Sequence, residues 1–478
     1  MTQRLLIDQK QNFAAAFGLI FRSAAVFWAC DRAGATTTIS FMNYWRIKRG
    51  LEVSVVITTR RMDGALLSRQ AVDWADRAVV NHRVDLAGED EGSIEVEVFS
   101  NRNLVIPYPA IMAMYETEDG LSMVHSYGRI YSPMEVENGK TIETGRESCF
   151  TLRDTATVRS FCVFHNGYEA QPAQTVRIRI VNAAGEVRRA DLPVDDLRPY
   201  QTVRIEPASA FPDLAAFLGG RPGNAALEFT LARAFTRMLV GNETVDGRDR
   251  QVTHSNFDYG AHQTDLVDGA REAVMALAPM RDRARTVIVY PDSEPGDYRL
   301  ELPDGVRPFR SGERIEVPAG GLETLVVSRA DGPMPSRIVT AQGVEVRGGA
   351  GLPIECSLGV MHQGRPGKHS HWMMLSARPG HRSGLYGVAV ETLYGPVRGG
   401  GTLSLHGAGS AEPVTIPLDS QAVAALLDGG DPLSLPQAVA FDPGGDWCWA
   451  YLNLDYPGWL VFSAIETEAG AATLEHAF

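Results

Sequence analysis

The sequence predicts an all-β protein built as three tandem homologous β-sandwich-like units with short helices. Three observations predict it. First, one hairpin pattern recurs at 108–126 (YPAIMAMYETEDGLSMVHS), at 235–265 and at 456–478 (YPGWLVFSAIETEAGAATLEHAF). Each copy has an aromatic residue, an apolar run, an acidic loop with glycine, and a β-type run ending in His125, His254 or His476. Second, an opening module recurs. Phe41-Met42-Asn43 precedes the alternating run 53–57, Phe164-His165-Asn166 precedes Val176-Arg177-Ile178-Arg179-Ile180, and Met361-His362-Gln363 opens a third copy. Third, the runs between are short and alternate apolar with polar residues, as half-buried strands do, and 47 Gly and 27 Pro punctuate them. A length of 478 residues is too great for one ordinary core.

Taken in order, the first unit spans 1–135. Its apolar stretch 13–30 is broken by Arg22, preceded by Asp8 and Lys10, and too short to span a bilayer, so it reads as core material rather than as a signal or membrane segment. The second unit spans 136–285. Ile94-Val96-Val98 in the first and Leu227-Phe229-Leu231 in the second are matching strands. Residues 209–220 (SAFPDLAAFLGG) read as a short helix that Gly219-Gly220 ends, and 419–430 (DSQAVAALLDGG) has the same grammar. The composition of 270–285 predicts a helix up to Pro279, joining units two and three. Residues 286–345 are expected to be a β-rich connector. The third unit, 346–478, carries an inserted hairpin rich in His and Arg.

The formal net charge of -13 argues against nucleic acid or an anionic membrane as the main partner. Five widely spaced cysteines with no CxxC fit buried thiols in a reducing compartment, and no export signal is recognised, so a cytoplasmic protein is expected. No GxSxG, P-loop, HExxH or strand-linked GxGxxG occurs.

The leading expectation is therefore a non-catalytic binding or scaffold protein, with a carbohydrate or a protein as partner. Arg365, Lys368, Arg378 and Arg382 make the inserted hairpin basic and suit an anionic ligand. Trp447, Trp449 and Tyr451 share one strand face, which exposed would stack sugars and buried would be core. The alternative is a metal-dependent enzyme or a metal-binding protein using zinc, iron or manganese, because imidazole with carboxylate is ligand chemistry for these ions. Two clusters carry that alternative: His254, Asp258 and His262 in the middle unit, and His362, His369 and His371 in the insertion, where spacing i, i+2 puts the last two on one strand face. A second alternative is a structural subunit of a larger, oligomeric assembly. Duplication alone repeats a residue, so His125, His254 and His476 are expected to play one structural part in three separate cores. Convergence of the three on one axis is the competing reading.

Overall fold

Period-two alternation sets the strands, and their pairing sets the units. In the computed structural model of the chain the described residues are 20–477 without 33, 73–76, 105–110, 126–127, 133–141, 236, 258–271, 278–284, 291–295, 303, 310–312, 318–322, 335–338, 345–351, 358–359, 365, 410–411, 428–442 and 469. The all-β class holds. Eight described strands of the first unit build its two sheets: Phe21–Cys30, Ala35–Met42, Ser54–Arg61, Leu66–Val72, Val79–Arg83, Glu91–Ser100, Ile111–Thr117 and Leu121–Val124; a short ninth, Arg129–Ile130, pairs with Ala234–Phe235 of the next unit. Numbered by place in the unit, the eight form two antiparallel sheets of order 1-6-3-4 and 5-2-7-8. Phe27, Ile57, Ile94 and Val96 from the first sheet meet Ile39, Phe41, Ala113 and Tyr115 from the second in one core. Two sheets sharing an apolar interior in this way make a sandwich.

The same strand order appears in 142–254, in 272–357 and in 370–476. The second and third sets each add a short edge strand, Asn256–Phe257 and Val360–His362. In the last set no strand stands in fifth place among the described residues, and the helix Ser420–Leu427 precedes the sixth. The arrangement thus has four sandwiches where three were expected. The strands within 286–345 are not a connector. They supply most of the third sandwich, with Val287, Leu300, Ile315, Leu325 and Val344 in its core. Its last strand, Ile354–Ser357, ends on Cys356-Ser357 rather than on a histidine, so a search keyed to histidine passes over it.

The helix expected at 270–285 is instead the strand Glu272–Leu277, paired with Glu323–Arg329 along its whole length. Cross-strand pairing overrides the helical composition. The other two helices form as read. Leu214–Leu218 ends at Gly219, whose φ of 61° is the left-handed cap that glycine adopts without strain. Ser420–Leu427 is capped by Asp419, whose Oδ1 accepts from Ala422 N at 2.8 Å.

The four sandwiches close into a ring through their eighth strands: Leu121–Val124, Arg250–His254, Ile354–Ser357 and Ala472–His476. Each packs on the next, and the fourth packs on the first. Val252 N donates to Ser122 Oγ at 2.9 Å, Leu352 N to Asp249 Oδ2 at 2.6 Å, and Met123 N to Thr473 Oγ1 at 3.0 Å. Sandwiches three and four share one apolar core, in which Val344 and Ile354 join Phe462 and Leu474. Sandwiches four and one share another, in which Met42, Met112 and Met114 meet Met374, Trp447 and Trp449. No helix among the described residues is long and apolar enough to cross a membrane.

Candidate metal centre

The ring brings together what the strand order places at the end of each eighth strand. The four endings read Val124-His125-Ser126, Thr253-His254-Ser255, Glu355-Cys356-Ser357 and Glu475-His476-Ala477. His125, His254 and His476 converge. Ring centroids are 4.9 Å apart for His125 and His254, 4.5 Å for His125 and His476, and 6.3 Å for His254 and His476. The expectation of three separate structural histidines gives way to the competing reading. Packing between units, which a repeat pattern does not encode, decides the matter.

Glu475 is the hub of the cluster. Its Oε1 lies 3.1 Å from His125 Nδ1 and 3.1 Å from His476 Nδ1, and it accepts from His476 N at 3.0 Å. Cys356 Sγ lies 3.9 Å from the same oxygen. Two triads of ligand atoms result, His125–His254–Glu475 and Cys356–Glu475–His476, and within each the atoms lie within 4.8 Å of one another. His254 and Cys356 are each 2% exposed and Glu475 is 3% exposed.

The protonation states suit a cation. His254 Nδ1 is 3.0 Å from the carbonyl of Ser255, which makes Nδ1 the N–H donor and leaves Nε2 with a bare lone pair. That Nε2 is buried without a hydrogen-bond partner among the described residues. Burial, reinforced by the Arg237 cation and by His125, holds the His254 pKa well below its ordinary value, so the ring stays neutral. Burial likewise lowers His125 to about 4, against the opposing pull of Glu475. Burial acts to raise the carboxyl of Glu475, but His125, and then His476, outweigh it and hold the group well below the ordinary carboxylate range. Burial, helped by the charge of Glu475, pushes the Cys356 thiol well up. His125 and His254 are thus neutral imidazoles beside an ionised carboxylate, with the thiol of Cys356 and the ring of His476 next to them, the donor set of a borderline-soft divalent ion.

The residues singled out in the sequence are scattered. Of the metal candidates, only His254 lies in a ligand triad. Asp258 and His262 lie outside the described residues, as does the side chain of His362. His369 precedes its strand and is exposed, with Nδ1 2.8 Å from the carbonyl of Leu454, whereas His371, on the strand, is 3% exposed. Alternation therefore does not put the two on one face, and neither belongs to a ligand triad among the described residues.

The basic segment is not an inserted hairpin: its strands Ser370–Ser376 and His381–Ala389 are the first and second of the fourth sandwich and lie in different sheets, and two of its four basic residues are paired to acidic side chains of this chain. Arg378 bonds both oxygens of Glu116, reaches Asp446 Oδ2 at 2.9 Å and lies 5.0 Å over Trp447. Arg382 pairs with Glu466. Lys368 is exposed, and Arg365 lies outside the described residues. Trp447 and Trp449 are 1% and 0% exposed, so no sugar reaches their faces. Tyr451, half-buried, stacks on Trp372 at 3.9 Å.

Two cluster residues, Cys356 and Glu475, escape a reading confined to histidine. The signal for the first is the fourth strand ending, Glu355-Cys356-Ser357, set beside the other three. Glu475 follows from no spacing rule, since it neighbours a residue of the same cluster. Two clefts lie elsewhere. One of about 270 Å³, beside Phe150, Gln251 and Glu355, lies between sandwiches two and three, and one of about 750 Å³ lies at Gly399, Asp419 and Asp455. Neither is lined by a residue of the cluster. No family model and no curated protein matches the chain.

Proposed function

We propose that this chain is a non-catalytic metal-binding scaffold, with one divalent transition-metal ion held where the four eighth strands meet. The observation that carries the reading is His254: a buried ring whose Nδ1–H is engaged by a backbone carbonyl and whose Nε2 lone pair has no partner among the described residues, in one triad with His125 and an ionised Glu475. A carbonyl that accepts from one ring nitrogen fixes the tautomer and aims the other nitrogen, which is how proteins present imidazole to a metal. Burial of His254 and Glu475 favours a structural ion over a reactive one. A cytoplasmic, reducing setting fits the thiols of Cys30, Cys162, Cys356 and Cys448, none of which is in a disulfide. The carbohydrate reading draws no support from Trp447 and Trp449, and the ring gives the scaffold reading a closed frame instead.

Elemental analysis of purified protein tests the proposal. Protein reconstituted with zinc and desalted is expected to keep about one ion per chain. His254→Ala is expected to weaken binding by more than the roughly 10–100-fold that loss of an outer-shell partner costs. His369→Ala, outside the cluster, should leave it unchanged. A folded protein that takes up no zinc, iron or manganese sinks the reading, as does equal uptake by the two variants.

A further inference from the structure

Within the metal reading just proposed, on which this inference rests, we infer that Cys356 is a thiolate ligand of the ion, so that all four sandwiches contribute one donor each from the same end of the eighth strand. His254 and His476 are the last residues of the eighth strands of sandwiches two and four, His125 directly follows that of sandwich one, and Cys356 is next to last in that of sandwich three, so all four stand at the same end of these strands. The geometry agrees. Sγ is buried, 3.9 Å from Glu475 Oε1, and shares a triad with Glu475 and His476. The Nε2 of His254, without a partner among the described residues, belongs to the other triad, which shares Glu475.

Coordination would replace the proton on Cys356 Sγ by the metal ion. The step balances simply: the thiol loses its proton to solvent, and the sulfur lone pair forms the bond to the metal, with no change of oxidation state. A metal ion deprotonates a coordinating thiol outright, so a thiol pushed up by burial in the metal-free cluster is no obstacle. Sulfur also selects the ion. A thiolate among imidazoles suits zinc, or cobalt(II) in its place, and disfavours magnesium and calcium. An ion so held ties the four sandwiches at one point.

Cobalt(II) substitution provides the test. Wild-type protein is expected to show the visible d–d bands of a bound cobalt ion together with sulfur-to-cobalt charge-transfer absorption in the near ultraviolet. Cys356→Ser should keep the visible bands and lose the charge-transfer band, with affinity reduced by more than the roughly 10–100-fold that losing a group supporting a ligand costs. Cys30, Cys162 and Cys448 lie in three other cores, so none of them supplies that band. X-ray absorption at the zinc edge of the unmutated protein asks the same question without a variant, and a sulfur shell at about 2.3 Å is expected. Cobalt bound without charge transfer, or a zinc shell of nitrogen and oxygen alone, overturns the role of Cys356 and leaves the metal centre standing. Protein that binds neither ion overturns both.

Discussion

Lowering the pH from 7.5 to 5 is expected to strip at least about 6 kcal/mol from the stability of this protein, through three histidines outside the metal cluster, with His125 and His254 acting in the same direction. His165, His371 and His406 are 3%, 3% and 1% exposed. Burial is the main cause in each case, and it lowers His165 to about 3 and His371 and His406 to about 4, from an ordinary 6.5. The Arg60 charge adds to the effect at His165, and Lys368 to that at His371. His165 Nδ1 sits 2.9 Å from Thr202 Oγ1, whereas neither ring nitrogen of His406 has a partner.

The sign follows from proton linkage. Between the folded and unfolded pKa values the unfolded chain carries the proton and the folded chain does not, so stability rises with pH in that window and is lost as pH falls. The loss begins near 6.5. It continues to about 4 for His371 and His406 and to about 3 for His165. At roughly 1.4 kcal/mol per pH unit and proton, one and a half units below 6.5 amount to about 2 kcal/mol for each ring. Glu95 works the other way: burial raises its pKa despite Arg60 and Arg22, so it binds a proton more readily when folded and offsets part of the loss at lower pH. Equilibrium urea unfolding at pH 7.5 and 5 measures the sum. His406→Phe should flatten the slope by about one proton, because it removes a titrating ring from an apolar site. A stability that is level between pH 6.5 and 5, or a slope untouched by that substitution, contradicts the argument.

The strand pattern was legible because alternation and turn residues are local, and the ring was not because its determinants are spread over faces that meet only after folding. Ile94-Val96-Val98 and Leu227-Phe229-Leu231 do lie in sixth strands, as their alternation implies. The third sandwich escaped notice because its eighth strand ends in cysteine. The helix read at 270–285 failed for a related reason: its partner strand lies some fifty residues on, out of reach of any local window. Glu475 shows the limit most clearly. Alternation puts residues 475 and 476 on opposite faces of a strand. Here the Glu475 carboxylate accepts from the backbone N–H of His476 itself, and so curls back to the side where the histidines lie. Such a turn at the end of a strand leaves no trace in residue spacing.

Trp449→Ala is expected to cost about 3–5 kcal/mol and to loosen the join between the fourth and first sandwiches. The side chain is fully buried, among Met42, Met112 and Met114 of sandwich one and Met374 of its own. Its Nε1 donates to Ser40 Oγ at 2.9 Å, a bond that crosses from one sandwich to the other. Ser40 Oγ donates in turn to Asn81 Oδ1 at 2.7 Å, and Asn81 Nδ2 donates to the carbonyl of Trp447 at 2.9 Å. Alanine therefore opens a cavity and removes one link of a buried chain, while Ser40 keeps its other partner. Phenylalanine fills most of the space but cannot donate, so Trp449→Phe should cost only about 1–2 kcal/mol. The difference between the two variants separates packing from the hydrogen bond. It also separates a structural tryptophan from a sugar platform, since stacking on an exposed ring would leave stability nearly unchanged when the ring is removed. Urea midpoints for the three proteins decide the point: an alanine variant within 1 kcal/mol of wild type, on the scale of ordinary surface substitutions, would mean that this face is not what closes the ring.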